Sequence, residues 1–584
     1  MSRKLFWLIA LFVLFVAVGC GSPTAVPQSN VPTETVTGTD LPENTAVAPD
    51  NPTVQIPPTN TPALPATAPA TAVTPQIDLS LEEDDVFLYP VPDIYAGDKV
   101  TFQVLAHVPE NVDPRSVTVH VLVDYQDVAE GSLSSPNLAG DAIGLFEWAW
   151  DTSGSVGEHV VHVILDRFDT VSVGDENADN NQVMRTVAVR DPLELSPNER
   201  NATWVTAETN CCNVYVVSGT AAYRDLPDLL VTVETAVMQA ASRVEEELNR
   251  KIDVYLIDRV IGQGGYAGNA IVISYLDRQY ASQGFEQVLV HEAVHIVDRQ
   301  FAPDRITFLA EGLAVWGSGG HYKPENLSPR AAALVALGQY VPLAQLIDNF
   351  YPVQHEIGYL ESAGFVDYLI DTYGWPGFKQ FYADVSAADA PTMSQAMDLN
   401  LQQYFGVTLA QAEANWLAYL ATLPEDRNML IDLQTTIRYF NVMRHYQRAY
   451  DPTAYFLTAW LPYPGSLKTE GNPADLTRHP QGEVNVTLEV MLQAADVALR
   501  AGDYNKANVL LDSVTRVLDN DGVFIDPLAA SYLNLVRSLT SQGYEVQQVL
   551  LNGDRAEVMV SEAHTAVLTP LTLVLSGQNW VLSN

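Results

Sequence analysis

Cysteine is nearly absent, with three among 584 residues, one of them in the N-terminal segment considered below. The other two, Cys211 and Cys212, are adjacent, so neither a disulfide framework nor a cysteine-based zinc ribbon is open to the chain. Adjacent cysteines close only a strained small ring, and a free or buried thiol pair is expected ahead of a labile vicinal disulfide. Positive charge is scarce too: 30 Lys+Arg stand against 71 Asp+Glu, a formal charge of −41. A phosphate surface would be repelled over most of such a protein, which excludes nucleic acid and anionic lipid headgroups as partners. The apolar run from Leu5 to Val18 is too short for a comfortable membrane-spanning helix. Apolar residues nevertheless make up 47% of the chain, which excludes a wholly disordered protein. At roughly 100–200 residues per domain the length allows about two to four domains.

Arg3 and Lys4 ahead of that run mark a secretory signal over residues 1–20. Ala17-Val18-Gly19-Cys20 resembles the lipobox of bacterial lipoproteins, which implies a lipid on Cys20 and an anchor to the outer face of the bacterial cell membrane. The alternative is a secreted protein with an ordinary cleavage site. Residues 21–76 are dominated by Pro, Thr, Ala and Val. Proline blocks helices and sheet ladders and favours an extended chain, so this stretch is expected to be a disordered stalk.

A multidomain fold is expected beyond the stalk. Between residues 77 and 192, Val100–Val104, Val117–Val123 and His159–Leu165 alternate with period two, the pattern of an antiparallel, immunoglobulin-like β-sandwich. Its ending, Asp166 to Val171 and then Asp175 to Asn181, resembles the last hairpin of CARDB-type bacterial adhesion sandwiches. The acidic turn either binds Ca²⁺ or, the favoured reading, is rich in Asp and Asn for backbone reasons alone. Residues 200–424 read as mixed α and β, with strands at Val214–Val217, Ile252–Leu256 and Ala270–Ser274 and a helix near Leu226–Leu248. The glycine-rich stretch 262–268 lies between two strands, which favours a hairpin connection over a nucleotide loop. Residues 425–584 read as helical, with one stretch around Ala498–Tyr504 resembling a tetratricopeptide hairpin, and end in a small antiparallel sheet over Tyr544–Leu551, Ala556–Ser561 and Leu571–Leu582.

The chemistry lies in Gln287–Asp298, whose helical apolar spacing contains His291-Glu292-x-x-His295. Positions four apart share a helix face, so the two imidazoles can hold one ion at about 2.0–2.1 Å. Glu292 is rotated by about 100° from His291 and can attend a metal-bound water without being a ligand. Composition predicts about 0.01 such matches by chance in a chain of this length. A catalytic zinc needs a third protein ligand and an open position. Asp298 and Phe301 stand where the longer His-rich motif would carry glycine and histidine. Sixteen residues after His295, Glu311 is the single carboxylate of the apolar helix Phe308–Trp316, and a buried carboxylate needs a partner or a metal. Glu311 is therefore the expected third ligand. His355 and Glu356 are rivals, placed just ahead of a helix and without such an apolar frame.

His291-Glu292-x-x-His295 with the downstream Leu309-Ala310-Glu311-Gly312-Leu313-Ala314 resembles the gluzincin metallopeptidases, in particular the bacterial "peptidase MA-like" branch. The Tyr359–Leu369 segment followed by Tyr373-Gly374 is similar to the Tyr-containing helix that ends the active-site region in that branch. The resemblance covers residues 200–424 and implies an α+β zincin-like domain that uses Zn²⁺ on peptide or protein substrates. Zinc would lower the pKa of its water toward about 7, and Glu292 would take the proton and pass it to the leaving amine. Tyr359 either donates its phenol hydroxyl to the oxyanion or is a packed aromatic. Asp298 either hydrogen-bonds a ligand imidazole or is a solvated residue near the helix end. In this fold type an edge strand grips extended substrate backbone; Ala270–Tyr275 either fills that role or is a core strand. The competing functional class is a non-catalytic surface adhesion or binding lipoprotein on a degenerate peptidase scaffold, for which Glu292 would have no use.

Overall fold

The computed structural model describes residues 78–583, apart from 135, 138, 172–174, 176, 282–283, 563–564, 578 and the side chains of 470, 473 and 474. The signal segment 1–20, Cys20 and the stalk 21–76 lie outside the described residues.

The first region carries β1 (Val86–Tyr89), β2 (Ile94–Tyr95), β3 (Lys99–Ala106), β4 (Thr118–Val123), β5 (Gln126–Ser132), β6 (Ala142–Asp151), β7 (Gly157–Leu165) and β8 (Gln182–Arg190). They form two sheets, in the orders β1-β3-β6 and β2-β8-β7-β4-β5. Val100, Phe102 and Val104 from one sheet and Val119, Val121, Val161 and Val163 from the other share one core, as period-two alternation dictates. In the acidic turn, Asp175 accepts the Asn177 amide at 2.9 Å and the Asn181 side-chain amide at 3.0 Å, so its oxygens are used by the local chain.

The middle region holds β9 (Trp204–Glu208), β10 (Cys212–Val217), β11 (Ile252–Ile257), β12 (Gly265–Ala267) and β13 (Ile271–Ser274), in the order β12-β13-β11-β10-β9. β10, β11 and β13 run parallel, and the Leu226–Arg243 helix makes the crossover between the first two. That helix stops short of the expected Leu248, because Val244 leaves the helix and Glu245 adopts φ +52°. All four residues of β13 are buried, as in parallel sheets covered on both faces.

Of the two readings of Ala270–Tyr275, the core strand holds: β13 is internal, and the edge is the three-residue β12 inside the glycine-rich stretch, paired antiparallel with Tyr266 opposite Val272. One expectation is corrected here: Cys211 and Cys212 are joined in a vicinal disulfide, where a thiol pair was the favoured expectation. Both cysteines are buried, Cys211 just ahead of β10 and Cys212 as its first residue.

The Thr307–Ser318 helix packs against both the Phe285–Asp298 helix and the His355–Tyr373 helix. Glycine makes the close approach possible. A methyl group on Gly317 would meet the Val294 side chain at 2.7 Å, and one on Gly312 would meet the Ser362 carbonyl oxygen at 2.8 Å.

The last region is built on the Arg427–Tyr450 helix, then helices Glu483–Arg500, Tyr504–Leu518 and Pro527–Thr540. A four-stranded meander closes it: β14 (Tyr544–Asn552), β15 (Arg555–Glu562), β16 (Leu568–Ser576) and β17 (Asn579–Leu582). The expected single strand Leu571–Leu582 is thus two, parted after Gly577 at φ +68°. The Arg427–Tyr450 helix serves two cores. Leu433 and Ile437 belong to the core of the middle region, and Tyr439, Phe440, Met443 and Tyr446 to that of the last. A buried ion pair ties the regions further, with Arg259 Nη1 2.9 Å from Asp451 Oδ2. Arg478 likewise reaches Asp98 of the β-rich first region at 2.8 Å.

Candidate metal centre

His291 and His295 project from one face of the Phe285–Asp298 helix, and Glu311 comes from the neighbouring Thr307–Ser318 helix. His291 Nε2 lies 3.1 Å and His295 Nε2 3.2 Å from Glu311 Oε2, and the two Nε2 atoms are 3.2 Å apart. The three atoms form a nearly equilateral triangle. Ligands at about 2.0–2.1 Å from a tetrahedral ion stand about 3.3–3.4 Å from one another, so this triangle has the size of one face of a zinc site. Two imidazoles and a carboxylate are also a donor set that zinc favours. It is the one group of three such side chains able to hold an ion among the described residues.

The electrostatics fit the same use. Burial pulls His291 down to about 4, so it is neutral and its nitrogen is available as a ligand. Burial opposes charge on Glu311, but His295 and His291 outweigh it and hold the carboxyl well below its ordinary range. Burial also opposes charge on His295, and Glu311 beside it reverses the direction, raising its pKa. Glu292 is 6% exposed and lies in the same cleft; burial is the first cause that raises it, to about 8. A divalent cation at the ligands would favour its ionised form.

The cleft measures about 430 Å³. β12 forms one wall through Gly265, Tyr266 and Ala267, and the Arg427–Tyr450 helix supplies another through Phe440, Met443 and Arg444. Tyr359 lines it with its ring centroid 6.0 Å from that of His291. The ring also stacks on His321 at 4.7 Å and lies 4.4 Å from His355, so Tyr359 is both cleft-lining and packed. Burial holds its phenol well above the ordinary range, which keeps the proton on.

His355 and Glu356 are not in the ligand group. They occupy the first turn of the His355–Tyr373 helix rather than preceding it, because the Gln354 side chain caps that turn by accepting the Ile357 amide at 3.0 Å. Glu356 is fully buried against His321, with Oε2 2.5 Å from Nδ1. Asp298 is also fully buried rather than solvated. Its Oδ2 accepts the Tyr382 hydroxyl at 2.5 Å and pairs with Arg305 at 2.7 Å, while His295 Nδ1 and Asp298 Oδ1 each lack a hydrogen-bond partner. Asp298 therefore braces the end of the ligand helix through Tyr382 and Arg305.

Sequence reasoning misses Tyr351 and Arg444. Tyr351 donates its hydroxyl to Glu311 Oε1 at 2.8 Å from an irregular segment 40 residues downstream, and no periodicity or motif marks it. Arg444 reaches the cleft from a region with no visible tie to the zinc motif.

No family model matches the chain, and neither does any curated protein. Among solved structures, yeast LTA4 hydrolase aligns at 13% identity over 80% of this chain and 86% of its own, with a TM-score of 0.29. A mutant M1 zinc metallopeptidase from Deinococcus radiodurans bound to a Tyr-Ser-Ala substrate aligns at 12% identity over 60% of this chain and 95% of its own, with a TM-score of 0.28. A metallopeptidase from Bacteroides thetaiotaomicron aligns at 8% identity over 84% of each chain, with a TM-score of 0.20. At these scores the likenesses bear on neither fold nor activity.

Proposed function

We propose that the protein is a zinc-dependent peptidase that hydrolyses peptide bonds outside the cell. One observation carries the reading: His291, His295 and Glu311 bring three ligand atoms within 3.1–3.2 Å of one another at the wall of a cleft that also holds Glu292. When bound there, Zn²⁺ would supply an acidified water and a Lewis acid for the scissile carbonyl. The chain's own residues would do the rest. Glu292, buried and close to the ligands, would accept the water proton and return it to the departing amine. Tyr359, held protonated in the same cleft, would donate to the carbonyl oxygen as it gains charge. β12, an edge strand on the cleft wall, would pair with extended substrate backbone in place of the Ala270–Tyr275 strand.

The surroundings of this unit belong to the same proposal. The immunoglobulin-like, CARDB-type region would act as spacer or adhesion module, and Cys20 with the proline-rich stalk would tether the whole to the outer face of the membrane. The sequence of residues 1–76 supports that placement. The test is metal content: purified protein should carry about one zinc per chain, with peptide hydrolysis lost on chelation and regained on adding zinc. Protein that hydrolyses peptides while metal-free would overturn the reading.

A further inference from the structure

The cleft wall holds three arginines, and two are already engaged. Arg299 donates to the carbonyl oxygens of Gly268 and Ala267 at 2.6 and 2.8 Å, and Arg305 pairs with Asp298. Arg444 differs. Its Nη1 donates to Gln447 Oε1 at 2.6 Å and its guanidinium lies 4.4 Å from the centre of the Phe456 ring, but no carboxylate of the described residues pairs with it and its Nε is buried without an acceptor. Gln447 is fixed in turn, donating to the Gly262 carbonyl at 3.2 Å. The guanidinium is thus held in one orientation by an amide and an aromatic face, in a protein with 41 more acidic than basic residues.

Arg444 is partly buried; a cation drawn even partly out of water without an anion is costly, and arginine cannot escape the cost by losing its proton. Burial brings Arg444 down to about 10, still cationic at neutral pH. Its planar fork of donors suits a carboxylate. Arg444 lines the same cleft of about 430 Å³ as Tyr359, His291, His295 and Glu311, so an anion bound to it would sit a short stretch of peptide from the triad.

Building on the peptidase reading, we propose that Arg444 is a specificity-determining residue that docks a substrate carboxylate, so that the substrates are peptides presenting a free C-terminal carboxylate or an Asp or Glu side chain near the scissile bond. A mixture of tetrapeptides, prepared once as free acids and once as C-terminal amides, tests this by mass spectrometry of the products. A preference of about 10- to 100-fold for acids over amides assigns the terminal carboxylate. A preference of that size within the amides for sequences containing Asp or Glu assigns the side chain. Arg444→Gln should abolish either preference mainly through KM, and Arg444→Lys should restore part of it. Equal cleavage of acids, amides and acidic sequences by the unaltered protein would overturn the proposal while leaving the peptidase reading intact. Should no peptide be cleaved at all, the peptidase reading fails, and retention of the two mixtures on immobilised Glu292→Gln protein still decides the matter: equal retention of acids, amides and acidic sequences overturns the role of Arg444.

Discussion

The Tyr351 hydroxyl donates to Glu311 Oε1 at 2.8 Å, which leaves Oε2 facing the two imidazoles. That bond fixes which oxygen of the carboxylate meets an ion. Tyr351→Phe should therefore leave the fold intact and weaken zinc binding by about 10- to 100-fold. Competition with a chromophoric chelator measures it, and unchanged affinity would remove Tyr351 from the site.

Glu292→Gln keeps the shape of the side chain and removes its basicity. Zinc content should stay at its wild-type level while peptide hydrolysis falls by at least about 10²-fold. His295→Ala should lose both metal and hydrolysis. Full turnover by the glutamine variant would take Glu292 out of the chemistry.

Gly312 sits where the Thr307–Ser318 and His355–Tyr373 helices nearly touch. Alanine is the better helix former by about 1 kcal/mol, but its methyl would press on the Ser362 carbonyl oxygen at 2.8 Å. Backbone cannot swing aside as a flexible side chain can, so the overpacking cost of about 1–3 kcal/mol should prevail. Gly312→Ala is expected to lower the unfolding midpoint in denaturant, with no change in slope.

Glu361 offers a pH dependence away from the metal ligands. Burial is the first cause that pushes its carboxyl up to about 8 from the 4.5 of an exposed glutamate; the Val341 amide opposes the shift and Glu413 adds to it. The folded protein then holds more protons than the unfolded chain between those two values. Stability from this group is therefore full below about pH 4.5 and is lost as pH rises toward 8, by at most about 1.4 kcal/mol per pH unit. Glu361→Gln should match the wild type near pH 5 and exceed it near pH 8 in chemical denaturation. A constant difference across that range would refute the assignment.

Asp451 accepts from Arg259 at 2.9 Å and from the Tyr280 hydroxyl at 2.9 Å, with both ion-pair partners buried. Asp451→Ala would strand the Arg259 charge and should cost about 3–5 kcal/mol. Urea unfolding reads the loss.

The meeting of His291, His295 and Glu311 is legible in the sequence because the period of a helix puts His291 and His295 on one face, and because Glu311 is a lone carboxylate in an apolar frame. Tyr351 and Arg444 are not legible, since their contacts depend on where irregular and distant segments return in space. β12 escapes notice for another reason: three residues in a glycine-rich stretch show no alternation, so only the adjacent, strongly apolar β13 stands out as a strand there. The β-rich first region is readable from alternation alone, whereas a single shared helix between two cores leaves no mark in the pattern of apolar residues.

The Arg427–Tyr450 helix has a consequence for the order in which the molecule comes into being. Residues 291–311 emerge from synthesis more than a hundred positions before the helix that completes their cleft. A nascent chain could gather its metal early and yet have nothing against which to hold a substrate until its final third has arrived. The same dependence means that a chain cut short before Arg427 would lack one wall of the cleft.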